Sequence, residues 1–81
     1  MKASVLLEKL QSMEITADSV RELAAEVCDT EIDGMSKLVS QVAPLVAKRA
    51  LQVRDEQTMG GLFAIVLFCG MQAAREIANR S

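Results

Sequence analysis

Met59-Gly60-Gly61-Leu62-Phe63-Ala64-Ile65-Val66-Leu67-Phe68-Cys69-Gly70-Met71 is a run of thirteen residues without one charged side chain, and its reading decides the fold. Both phenylalanines of the chain lie in it. A bilayer span needs about eighteen or more apolar residues, so a run of this length falls short of crossing a membrane. Periodicity alone does not separate helix from strand in so short an apolar run. Nothing else in the chain alternates like a strand that could pair with it, and an unpaired strand is not viable. The run also continues into Gln72-Ala73-Ala74-Arg75-Glu76-Ile77-Ala78-Asn79, which is good helix material. A helix over about 58–79 is therefore expected. Being apolar all round, it should be buried on every side. Gly60 with Ala64, and Gly70 with Ala74, stand four apart and allow another helix to approach closely. Together with Phe63 they make a candidate oligomer seam.

Upstream of this run the pattern is amphipathic. Leu6, Leu10 and Met13 share one helical stripe, widened by Ala3 and Leu7, with Glu8, Lys9 and Gln11 outside it. Ser19-Val20-Arg21-Glu22 has the spacing of a capping box, with Asp18 as a competing cap. Val20, Leu23, Ala24 and Val27 then recur on one face to about Cys28. Asp29 or Thr30 is expected to cap a third helix, with Glu31 and Asp33 complementing the dipole of its first turn. Ile32, Met35, Val39 and Val42 form its stripe. Pro44 falls inside the continuing pattern, so a kinked pair of helices over about 31–54 is expected.

The chain has 81 residues, of which 51% are hydrophobic, 2% aromatic and 25% charged. That composition excludes intrinsic disorder. A chain so small buries little more than about 60% of the surface its unfolded form exposes, so this much apolar side chain is hard to hide within it. The expected architecture is one all-α domain over 1–81, a bundle of four to five helices. Its C-terminal helix is central and apolar, and a homodimer completes the core. Met13, Met35, Met59 and Met71 suit such a core or a groove for a partner.

The absences restrict the chemistry. There is no His, and so no imidazole base, ligand or proton switch near neutrality. Cys28 and Cys69 are too few for a disulfide scaffold and read as free, buried thiols. Glu22 and Glu26 stand one turn apart, but the Glu-x-x-His partner of a di-metal bundle site is missing. No catalytic residue, cofactor or metal site is expected.

Two partial motifs remain. Asp29-Thr30-Glu31-Ile32-Asp33-Gly34 resembles the opening of an EF-hand calcium loop, with acids at the first, third and fifth positions and Gly at the sixth. The resemblance ends there. Ser40 stands where the bidentate Glu belongs, Lys37 at the ninth position and Ser36 at the apolar eighth. Val20–Val27 followed by Ile32–Val42 has the outline of a helix-turn-helix, but its reading end would present Asp29, Glu31 and Asp33 to phosphates.

Charge is uneven. Residues 1–35 hold eight acids and three bases, and residues 36–81 three acids and six bases, for a total of -2. The acidic side chains Glu22, Glu26, Asp29, Glu31 and Asp33 are the candidate partner-binding set. The expected function is non-enzymatic: a small adaptor, inhibitor or regulatory subunit that binds a protein partner. Lys2 is followed by only Ala3 to Leu7 before Glu8, too short an apolar stretch for an export signal, which points to the cytoplasm. One alternative is a transcriptional regulator using Lys48, Arg49 and Arg54 on DNA, although the net charge argues against nucleic acid. Another is a bundle that holds an apolar ligand.

Overall fold

A computed structural model describes residues 1–80 as four helices, with no strand among them: α1 (Ala3–Ser12), α2 (Ala17–Asp29), α3 (Met35–Ala50) and α4 (Glu56–Arg80). The longest, α4, packs against both α2 and α3, and α1 rests on α3. The core takes Ala3, Leu6, Leu7 and Leu10 from α1 and Val20, Leu23, Ala24 and Val27 from α2. Met35, Val42 and Val46 come from α3, and Leu62, Ile65, Cys69 and Ala73 from α4. The apolar faces expected for the first two helices are the faces that are buried, except that Met13 lies just past the end of α1 and is half-buried.

The helix starts differ from the sequence reading. Thr16, not Ser19 or Asp18, caps α2. The Ser19 amide donates to Thr16 Oγ1 at 3.0 Å, and the Thr16 amide donates to Ser19 Oγ at 3.0 Å. A serine at the third helical position performs the back-donation usually left to glutamate, so Glu22 plays no part in the cap. Thr16 is extended (φ -127°), which a β-branched residue adopts readily.

The third helix starts at Met35, so Glu31 and Asp33 lie in a loop and not in its first turn. Long-range bonds hold that loop extended. The Ala3 amide donates to the Asp33 carbonyl at 2.8 Å, and the Asp33 amide to the Met1 carbonyl at 3.0 Å. Gly34 then turns the chain into α3 in the left-handed region (φ 83°), where a glycine is needed. Ile32 is buried from this loop and not from a helix.

One uninterrupted helix spans Pro44 where a kinked pair was expected, and it ends at Ala50, short of 54. Pro44 and Ser40, whose carbonyl loses its helical donor, are both exposed. Water can satisfy that carbonyl, which limits the proline's cost.

Asp55 sets the start of α4. Its Oδ2 accepts from the Thr58 amide at 2.9 Å and from Thr58 Oγ1 at 2.8 Å, which satisfies the buried hydroxyl of Thr58. At Gly61 the helix meets α2 so closely that an added Cβ would stand 2.3 Å from Val20 Cγ1. The expectation that α4 is enclosed on all sides is wrong: it buries a single stripe, Thr58, Leu62, Ile65, Cys69 and Ala73. Two shorter helices, α2 and α3, pack on that stripe, and among the described residues no other helix packs against α4. The expectation that the segment is too short for a membrane also changes. By length and composition α4 is sufficient to cross one, with mean hydropathy 1.4 over eighteen residues, of which 22% are buried inside the fold.

Candidate interaction surface

The uncovered side of α4 carries Gly60, Phe63, Leu67, Gly70, Met71, Ala74 and Ile77, all exposed. Phe63 is 64% exposed, Leu67 67%, Met71 52% and Ile77 57%. Single exposed apolar residues are ordinary, but a contiguous row along one helix is not. The seam residues Gly60, Phe63, Gly70 and Ala74 lie on this face, with Ala64 half-buried at its edge. Leu67, Met71 and Ile77 belong with them and were missed, because the seam was drawn from the small residues and Phe63 while the large apolar side chains were expected to be enclosed.

Phe63 and Met59 also wall a groove of about 400 Å³ against α3, whose contribution includes Ala43, Ala47, Ala50 and Leu51. Leu51 is 86% exposed at the end of α3. The apolar surface therefore continues from α4 across the groove. The folded chain exposes 5234 Å². Size scaling gives about 4,800 Å² for a monomer of this mass, within about a tenth of that value.

A second, polar recess of about 560 Å³ lies between the α2–α3 loop and the end of α4. Its floor is a latch. Gln72 Nε2 donates to the carbonyls of Val27 (2.9 Å) and Thr30 (2.7 Å), and its Oε1 accepts from the Ile32 amide at 3.3 Å. Glu76 accepts from the Gly34 amide at 3.0 Å and from Ser36 Oγ at 2.5 Å. The Ser36 hydroxyl, with the Gly34 amide and the Arg80 guanidinium, holds the Glu76 carboxyl below its ordinary value. Neither residue was singled out from sequence. A polar pair one turn apart after an apolar run was the available signal.

The five candidate acids are dispersed. Glu22 is exposed on α2, and Glu26 faces α1, pairing with Lys9 at 3.3 Å. Asp29, Glu31 and Asp33 rim the recess, but Arg75 and Arg80 rim it too, so the surface there is of mixed sign. No group of three or more His, Cys, Asp or Glu side chains that could hold a metal is found among the described residues. In the EF-hand-like segment, the Gly34 amide is committed to Glu76.

The basic cluster is divided as well. Arg49 is half-buried and its guanidinium donates to the carbonyls of Gln11 (3.1 Å) and Met13, which closes the end of α1; Lys48 and Arg54 remain exposed. Cys28 is exposed, contrary to the expectation of two buried thiols. Cys69 is buried, and burial pushes its thiol up to about 11, away from nucleophilic chemistry. Compared with known protein families, curated proteins and solved structures, the chain finds no match.

Proposed function

We propose that this chain is a non-enzymatic interaction module, a small cytoplasmic adaptor, inhibitor or regulatory subunit whose working surface is the exposed face of α4. The observation that carries the reading is the row Phe63, Leu67, Met71 and Ile77, held in water by a helix whose opposite stripe is fully packed. A patch of this kind, continuous with an apolar groove, is how helical proteins present a face to another chain. The contact therefore moves from the acidic side chains, where Glu26 and the recess acids have basic neighbours, to the apolar side. The DNA reading is weakened by Arg49, whose guanidinium serves α1 and not a phosphate. An apolar ligand in the α3–α4 groove is the other occupant of the same surface.

Photocrosslinking in the native cell tests this reading. A photoreactive residue at position 67 should give discrete protein adducts, and one at Glu22 or Lys48 should not. Adducts at Glu22 alone would return the contact to the acidic side. Adducts to nucleic acid at Lys48 would replace the proposal with the DNA reading.

A further inference from the structure

We infer that the occupant of the α4 face is α4 of a second copy of this chain, packed antiparallel along Gly60, Phe63, Leu67, Gly70, Ala74 and Ile77. The inference rests on the interaction-module reading and names its partner. These six positions are spaced 3-4-3-4-3, the a/d repeat of a two-helix seam, and every one of them is exposed and uncharged.

The order of sizes selects the orientation. A two-fold axis between Leu67 and Gly70 sets Gly60 against Ile77, Phe63 against Ala74 and Leu67 against Gly70. Each large side chain then meets a small one, three layers repeated by symmetry. A parallel pair would stack Phe63 on Phe63 and Gly70 on Gly70, which alternates bulges with voids. The antiparallel pair also opposes the helix dipoles and brings the acidic start of α4, Asp55 and Glu56, to the Arg80 end of the other copy.

The glycines supply an independent argument. Gly61 is explained inside the chain, because Val20 occupies the space of a Cβ. Gly60 and Gly70 are not: a Cβ at either would meet nothing within 4 Å. Glycine is the poorest helix residue after proline, so two in a helix interior with open space beside them call for an approach from outside. The area is sufficient. At roughly 200 Å² per large side chain, Phe63, Leu67, Met71 and Ile77 leave about 500 Å² of apolar surface on each copy. Fully covered on both copies, these side chains give ~1,000 Å², the lower bound for a specific interface, and Met59, Leu51 and the groove extend it.

The test uses the full chain with the exposed Cys28 replaced (Cys28→Ser). Sedimentation equilibrium should give twice 8.8 kDa at micromolar concentration. Leu67→Glu, and separately Gly70→Leu, should return it to 8.8 kDa with the helical circular dichroism kept. For orientation, chains carrying Gly60→Cys are mixed with chains carrying Ile77→Cys and oxidised. Disulfides between the two variants should predominate over those within either.

Disulfides within each variant would overturn the antiparallel seam. A mass of 8.8 kDa at all concentrations would overturn the second copy as partner, and so would co-flotation of that monomer with phospholipid vesicles. Photocrosslinks from position 67 to a different protein would then keep the interaction-module reading standing without this one.

Discussion

Replacing Gly61 with alanine adds one methyl group at the closest helix crossing in the fold. The new Cβ would stand 2.3 Å from Val20 Cγ1 and 3.4 Å from Val20 Cβ. Carbon atoms in contact prefer about 3.5–4.0 Å, so the first overlap exceeds roughly 1 Å. Val20 is fully buried, and a valine in a helix has one strongly preferred rotamer, so its side chain does not simply swing away. Overpacking of this kind costs about 1–3 kcal/mol, against about 1 kcal/mol gained by exchanging glycine for alanine within a helix. The expected net effect is a loss of up to about 2 kcal/mol. For a domain of this size that lowers the melting temperature by about 4–8 °C per kcal/mol. Gly60→Ala and Gly70→Ala, which meet open space, should instead gain up to about 1 kcal/mol. All three are compared by urea unfolding followed at 222 nm in a Leu67→Glu background, so that association does not enter. Val20→Ala combined with Gly61→Ala should cost less than the sum of the two single changes, because the blocking methyl is gone. The packing of α2 on α4 described above is refuted if Gly61→Ala is as stable as Gly70→Ala.

The latch and the thiols give further outcomes. Gln72→Ala orphans the Ile32 amide and the Val27 and Thr30 carbonyls, so a loss of about 1–3 kcal/mol is expected, with faster amide exchange at Ile32. Glu76 has its folded-state pKa held below the ordinary 4.5, chiefly by the Ser36 hydroxyl. Its contribution is therefore fully present above that value and is lost as pH falls through the lower, folded-state value. Glu76→Gln should flatten the stability profile in that acid window, and an unchanged profile would remove Glu76 from the account. At neutral pH a thiol reagent should modify one cysteine per folded chain, Cys28, while Cys69 reacts only on unfolding.

The periodic faces of α1 and α2 were legible in the sequence, because a repeat of three and four survives whatever packs against it. All-helical character followed equally well, since no strand pattern competed. Burial of α4 was not legible. An apolar run states how much surface avoids water, not which side the other helices reach, and here they reach only Thr58, Leu62, Ile65, Cys69 and Ala73. Gly60 and Gly61 look alike as a dipeptide, yet one faces open space and the other the side chain of Val20. The acids at 29–33 satisfied local rules for a helix start, and those rules lost to distant partners. Lys2, Gln72 and Glu76 hold that segment extended across separations that no local pattern records. Arg49 read as part of a basic cluster because its bonds to Gln11 and Met13 are likewise long-range.

The proposed dimer requires that a second copy of the chain cover the exposed face of α4. Dependence of the melting temperature on protein concentration measures this directly, since association stabilises the folded state by mass action. The wild-type midpoint should rise steadily as concentration is raised a hundredfold, and that of Leu67→Glu should stay constant. A wild-type midpoint that does not move over the same range would contradict it.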